Sequence, residues 1–192
     1  MEKFIQEIKD SLSTDICTNI IQRFEHDERK VPGITFNKED PDVKKTMDLH
    51  ISSKEGWKDI DTILFKALEK GVQQYIEHLK INDTCFGDIL IDTIDTGYQI
   101  QRYTKETGYY KWHHDFSTRM PRVRKLTYIW YLNDVIEGGE TEFINGTKIR
   151  PETGKLMLFP SCWTFVHRGC MPISNDKYIA TGWLYSKGIM ED

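Results

Sequence analysis

The hydrophobic period of this chain changes once, and that change limits the possible folds more than any other feature. Up to about residue 80 apolar residues recur at helical spacing, and from about residue 89 they alternate at every second position. Phe4, Ile8 and Leu12 suggest a first helical stretch. Ser13 or Thr14 can cap a second one through Ile20, Ile21 and Phe24. Residues 28–45 are charged, hold Pro32, Gly33 and Pro41, and read as a loop. Thr46–Ile51 suits a short strand with Met47, Leu49 and Ile51 on one side. The strongest helix signal runs from Trp57 to Leu79, where an apolar stripe through Ile60, Leu64, Leu68 and Tyr75 must face something apolar.

Beyond it the segments shorten. Tyr98–Tyr103, Tyr109–Phe116, Lys125–Leu132, Thr141–Ile144, Lys155–Phe159, Thr164–His167 and Lys177–Tyr185 are rich in aromatic and β-branched residues, with Gly, Asn, Asp or Pro between them. Such a succession points to a sandwich, barrel or jelly roll. The expected fold is α+β in a single domain over 1–192, with 1–85 as helical support and 86–192 as the β-core. Composition agrees: 192 residues, 39% hydrophobic and 29% charged, suit one packed domain rather than a disordered chain. A net charge of −4 argues against a dedicated nucleic-acid binder. The opening MEKFIQEIKD lacks the apolar core of a signal peptide, and no apolar run reaches membrane-spanning length. A cytoplasmic location without a membrane partner is therefore expected. Cys17, Cys85, Cys162 and Cys170 stand far apart with no C-x-x-C pair, which favours reduced thiols over a zinc site or disulfide framework.

The chemistry concentrates in Tyr110-Lys-Trp-His-His-Asp-Phe116. On a strand, His113 and Asp115 share a face while His114 points away. A third ligand must return through topology, and His167, in Phe165-Val-His-Arg-Gly169, is the best candidate. Two histidines and a carboxylate form the facial triad of non-haem Fe(II) sites. Other readings stay open, because His-x-Asp also occurs in solvated hairpins, and His167 alone suits an ordinary buried imidazole. His50 and His78, in the helical half, read as surface or satisfied histidines. Lys177 opens a strand on which Ile179, Thr181 and Trp183 share its face. Facing the interior, that lysine needs an anion such as the distal carboxylate of a dicarboxylate cosubstrate. Facing water, it needs nothing.

In their order and spacing, Gln101-Arg-Tyr103, Gly108-Tyr-Tyr110, Trp112-His-His-Asp115, Leu126-Thr-Tyr-Ile-Trp-Tyr-Leu-Asn133, Gly138-Gly-Glu-Thr-Glu-Phe143, Gly154-Lys-Leu-Met-Leu-Phe-Pro160, Val166-His-Arg-Gly169 and Lys177-Tyr-Ile-Ala-Thr-Gly-Trp183 resemble a known family. It is that of the Fe(II)- and 2-oxoglutarate-dependent dioxygenases, within them the prolyl 4-hydroxylase-like group. The resemblance spans about Tyr98 to Tyr185 and implies a double-stranded β-helix, a distorted jelly roll buttressed by N-terminal helices. It implies iron on His113, Asp115 and His167, and the distal carboxylate of 2-oxoglutarate on Lys177. Tyr103, Tyr110, Tyr131 and Thr181 are implied around the cosubstrate, with Trp183 shaping the pocket. The implied reaction consumes dioxygen and 2-oxoglutarate, releases succinate and CO2, and hydroxylates an unactivated C–H. The implied substrate is a prolyl residue of a peptide or protein, with ascorbate as reductant. Rival readings are a small-molecule or free amino acid hydroxylase of the same family, a cupin-like metal module using zinc, and a binding protein that keeps the fold without activity. Arg119, Arg122, Arg124 and Lys125 form either a substrate-facing loop or a solvated one. Trp112 and Trp163 suit either walls for a proline ring or core packing. The stretch 82–95 suits a lid. Nothing in the residues speaks to oligomeric state.

Overall fold

The twofold period of the second half is realised as two antiparallel sheets packed face to face, in a computed structural model that describes residues 1–35, 38–82, 90, 92–119 and 122–187. After a 3-10 turn at Glu2–Phe4, the first half forms β1 (Gln6–Ile8), α1 (Thr14–His26), β2 (Val31–Pro32), β3 (Ile34–Thr35), β4 (Lys38–Glu39), β5 (Lys44–Lys45), β6 (Met47–His50) and α2 (Lys58–Asn82). The second half forms β7 (Thr93–Asp95), β8 (Gln99–Tyr103), β9 (Tyr109–His113), β10 (Thr118–Arg119), β11 (Arg122–Tyr131) and β12 (Thr141–Phe143). It continues with β13 (Lys148–Ile149), β14 (Leu156–Pro160), β15 (His167–Gly169) and β16 (Lys177–Ser186). The major sheet runs β1-β14-β11-β16-β8-β6-β2, with β7 beside β16 and β10 beside β11. The minor sheet runs β13-β12-β15-β9-β5.

Alternation along the long strands sorts the core into two layers. Tyr128, Trp130, Leu156, Leu158, Ile100 and Ala180 face the helices and pack with Leu64, Leu68 and Tyr75 of α2 and Ile20 and Phe24 of α1. Their neighbours Ile129, Tyr131, Met157, Phe159 and Ile179 face the other way, onto Phe143 and Ile149 of the minor sheet. Each large apolar side chain so buried contributes about 1.5–3 kcal/mol. The apolar stripe on α2 thus covers the outer face of the major sheet, and the space between the sheets is left for a site. This is a double-stranded β-helix supported by α1 and α2. Helix α1 starts where expected, with the Ser13 hydroxyl accepting the Ile16 N–H at 3.4 Å.

Three expectations about the first half need correction. Phe4, Ile8 and Leu12 do not share a helix. Gln6, Glu7 and Ile8 pair instead with Leu158, Met157 and Leu156 of β14. So short a helix is marginal by itself, whereas the edge of β14 offers unpaired backbone groups. The 28–45 segment carries β2, β3, β4 and β5 rather than being all loop. Consequently 1–85 is not helical support alone, since β1, β2 and β6 extend the major sheet and β5 extends the minor one. Most of the proposed lid, residues 83–89 and 91, lies outside the described residues, while Thr93–Asp95 pair with the end of β16. Cys17, Cys162 and Cys170 are free thiols, and Cys85 lies outside the described residues. Among the described residues, no helix is long and apolar enough to cross a membrane.

One glycine pins the N-terminal segment to the barrel. Gly154 has φ +78°, and the Leu12 N–H donates to its carbonyl at 3.1 Å. A Cβ there would stand 2.1 Å from the Leu12 carbonyl oxygen. Gly154→Ala is expected to destabilise the fold by about 2 kcal/mol or more, seen as a lower urea midpoint. An unchanged midpoint would show that the two loops part without cost.

Candidate metal centre

The register of β15 on β9 places His167 opposite His113. Their rings lie 4.2 Å apart between centroids. Each imidazole is oriented by its own backbone: Nδ1 of His113 meets the Lys111 carbonyl at 2.8 Å, and Nδ1 of His167 meets that of Phe165 at 2.9 Å. With those protons donated, both Nε2 atoms are left as electron-pair donors. One donor atom from each of His113, Asp115 and His167 lies within 4.8 Å of the others, and His167 Nε2 is 3.7 Å from Asp115 Oδ2.

Strand β9 ends at His113, so alternation along a strand does not place Asp115. A neighbouring strand does. Thr127 on β11 donates its hydroxyl to Asp115 Oδ2 at 2.8 Å and sits 2.7 Å from the Ser161 hydroxyl. Arg124 donates to the Asp115 carbonyl at 3.3 Å. Burial, then the neighbouring His167, hold the His113 pKa well below the ordinary range, which keeps the ring neutral. Burial alone would raise Asp115, but His167, His113 and the Thr127 hydrogen bond bring its pKa below the usual carboxylate value. A neutral His113 beside an ionised Asp115 suits a divalent metal. Tyr110 stacks on His113 at 3.5 Å, and Phe143 and Phe159 pack around His167 at 5.6 and 4.9 Å.

The other end of the same pocket is cationic. Lys177 is 1% exposed, donates to the Gly139 carbonyl at 2.9 Å, and stands 4.0 Å from the centre of the Tyr103 ring. Its ammonium is therefore not in water, and burial lowers its pKa to about 8. Tyr103, Tyr110 and Thr181 line this pocket with Lys177 and Trp183. Thr181 contributes a wall, because its hydroxyl proton goes to the Tyr128 carbonyl at 2.8 Å. Tyr131 stands behind the lining, with its hydroxyl donating to Thr141 at 2.7 Å, and it is Thr141 that reaches the pocket. His114 is exposed and points away from the cluster. Trp112 and Trp163 are 44% and 64% exposed, so neither is core, and Arg168 lies 4.7 Å over the Trp112 ring. Of the basic run, Arg124 reaches the site, stacked 3.7 Å over Trp183, whereas Arg122 is exposed. The Arg119 side chain lies outside the described residues.

Thr127, Thr141 and Gln101 stand in the quoted motifs, but like Gln99 they carry no chemistry that assigns them a role in the sequence. Alternation contained the signal, since Thr127 shares the inner face with Ile129 and Tyr131, and Gln99 and Gln101 share that of Tyr103.

Two imidazoles and a carboxylate at the mouth of a double-stranded β-helix define a non-haem iron type of centre. The sequence comparisons agree: residues 98–185, which contain the whole triad and Lys177, match the model of the 2OG-Fe(II) oxygenase superfamily. The likeness read from the motifs, to that superfamily and its prolyl 4-hydroxylase branch, is met. Prolyl 4-hydroxylase 1 of Arabidopsis thaliana is 30% identical over 118 residues, covering 46% of this chain and 40% of the plant protein, so the match spans less than half of that relative. Among solved structures, the viral collagen prolyl hydroxylase of Paramecium bursaria Chlorella virus-1, in its 2OG complex, superposes with a TM-score of 0.69 at 19% identity. That match covers 95% of this chain and 96% of the viral one. A prolyl hydroxylase of Trichoplax adhaerens, in complex with a peptide fragment of the hypoxia inducible factor oxygen degradation domain, gives 0.73 at 19% identity over 96% and 84%. At such identities the structural matches establish the fold.

Two outcomes follow from this geometry. Thr127→Val removes the hydrogen bond that orients Asp115, and metal affinity is expected to fall by roughly 10- to 100-fold, measured by titrating Mn(II) into the metal-free protein. An unaltered affinity would show that β11 does not set the carboxylate. The ammonium form of Lys177 is the one that holds an anion, and it falls to half its population near pH 8. Affinity for 2-oxoglutarate should be level below about pH 7, bend near pH 8 and fall by up to about tenfold per unit above it. Calorimetric titration across that range checks the break point.

Proposed function

We propose that the chain is an Fe(II)- and 2-oxoglutarate-dependent dioxygenase that hydroxylates an unactivated C–H, with a prolyl residue of a peptide or protein as substrate. The observation that carries this reading is the presence of the facial triad and a buried lysine in one pocket. A metal-dependent hydrolase or a cupin-like zinc module has no use for an interior ammonium, whereas a dicarboxylate cosubstrate needs one at the end remote from the metal.

The donor set fits Fe(II), held by His113, Asp115 and His167. Bound there with 2-oxoglutarate, the iron would supply dioxygen-dependent oxidation coupled to release of succinate and CO2, with ascorbate serving only to keep the metal ferrous. The chain contributes orientation and exclusion of water. The backbone carbonyls of Lys111 and Phe165 fix the two imidazole tautomers. Thr127 holds the carboxylate, and Lys177 supplies the counter-charge for the distal carboxylate. Tyr110, Phe143 and Phe159 shield the imidazoles from solvent.

The peptide substrate is supported by the names of the relatives, prolyl hydroxylases among which one is solved with a peptide. The exposed rings of Trp112 and Trp163 offer flat apolar surface suited to proline-bearing chains. Action in the cytoplasm belongs to the same proposal. The test is succinate release against peptides with and without proline. Succinate should form with proline peptides in step with gain of one oxygen atom, and vanish in His167→Ala. Lys177→Ala should raise the 2-oxoglutarate requirement by more than about tenfold. Turnover with free amino acids but no peptide would replace the peptide substrate by a small molecule.

A further inference from the structure

A row of buried polar side chains runs from the Lys177 end of the pocket to the far edge of the major sheet. Gln99, Gln101 and Tyr103 alternate on the inner face of β8, and Thr46 and Asp48 face them from β6 and its approach. The Tyr103 hydroxyl donates to Gln101 Oε1 at 3.2 Å, Gln101 Nε2 to Gln99 Oε1 at 3.1 Å, and Gln99 Nε2 to Asp48 Oδ2 at 2.8 Å. Asp48, 1% exposed, also accepts from Lys44 Nζ and from the Thr46 hydroxyl. Gly33 lids this end so closely that a Cβ there would lie 2.1 Å from Thr46 Oγ1.

Two amides and a phenol in a row can point their hydrogen bonds either way along it. A carboxylate at one end that accepts from Lys44, Thr46 and Gln99 removes that choice. Gln99 must turn its NH2 to Asp48 and its oxygen to Gln101, Gln101 must do the same toward Tyr103, and Tyr103 must donate. At the pocket end, Tyr103 is the cross-strand neighbour of Lys177, and its ring is the surface over which the ammonium stands at 4.0 Å. The ring is also confined from the other sheet, where a Cβ on Gly169 would lie 3.0 Å from it. A phenol that donates to an acceptor is more electron-rich, which strengthens its face as a seat for a cation.

We infer that Asp48 is a positioning residue for the anion end of the pocket, fixing through Gln99 and Gln101 the Tyr103 ring on which the Lys177 ammonium rests. This rests on reading the pocket as the 2-oxoglutarate site. Row and triad approach different ends of the bound cosubstrate, so loss of the row acts on the distal carboxylate and not on the metal. Because Asp48 also holds Lys44, 5.4 Å over the Tyr110 ring, Gln99→Leu is the variant that interrupts the row alone.

The experiment is calorimetric titration of 2-oxoglutarate and of pyruvate, a 2-oxo acid without the distal carboxylate, into anaerobic Mn(II)-loaded protein. Asp48→Asn should weaken 2-oxoglutarate roughly 3- to 30-fold while pyruvate and Mn(II) affinities stay within about twofold. Gln99→Leu interrupts the row without touching the Lys44–Asp48 pair, and it takes the place of Asp48→Asn should near-UV circular dichroism show that variant unfolded. In a Tyr103→Phe background, neither substitution should weaken binding further, since the row then ends short of its target. Equal weakening of 2-oxoglutarate and pyruvate, or additive effects with Tyr103→Phe, would overturn the inference. If Lys177→Ala weakens 2-oxoglutarate and the row variants do not, the inference alone fails. If Lys177→Ala also leaves 2-oxoglutarate binding intact, the pocket is not its site and both readings fall.

Discussion

The antiparallel pairing of β9 with β15 sets His167 opposite His113, and the rest of the site is arranged around that pair. A slip of one residue would turn one imidazole out of the barrel. The register has support on both flanks, from β12 beside β15 and from β5 beside β9. It is locked further by the stack of Tyr110 on His113 and by the rings of Phe143 and Phe159 packed around His167. The minor sheet is therefore the rigid frame of the metal ligands, while the major sheet brings Thr127 to orient the third of them.

The inner face of the major sheet has two characters. On β14 it is apolar, with Met157 and Phe159 filling the space between sheets. On β8 and β16 it is polar, with Gln99, Gln101, Lys177 and Thr181 buried. Burying polar groups costs about 1–3 kcal/mol for each left unsatisfied, and here they satisfy one another or a backbone carbonyl. The helices make this possible. By covering the outer face with a continuous apolar layer, α1 and α2 supply stability that the inner face gives up.

Much of this was legible in the residues, and the parts that were not share one cause. The helix over 57–79 and the long strands of the second half show directly in the period of their apolar residues. Gln6–Ile8 was misread because three spaced apolar residues are compatible with a helix, and only the open edge of β14 makes them a strand. The 28–45 segment hid its two-residue strands because so few positions show no alternation. Asp115 was assigned to the right cluster on a strand that stops two residues earlier. Its true support, Thr127, is a residue type that says nothing about metals in sequence. Tyr131 is expected at the cosubstrate, but its hydroxyl donates to Thr141, and it is Thr141 that lines the pocket.

The sequence by itself determined the class of fold and the chemical types of the site: twofold alternation, His-x-Asp, a later histidine and a lysine opening a late strand. Those are local properties, written in period and spacing. Only the tertiary structure decided which side chains meet, because strand register, sheet edges and the depth of a side chain in the barrel depend on residues far apart in the chain. Thus Lys177, which by sequence suits either water or the interior, is buried over Tyr103 because it shares with Ile179 the face of β16 that looks into the space between the two sheets. The row from Asp48 to Tyr103 has the same origin. It joins β6 to β8 across a helix and a long stretch of chain, and no spacing rule connects them.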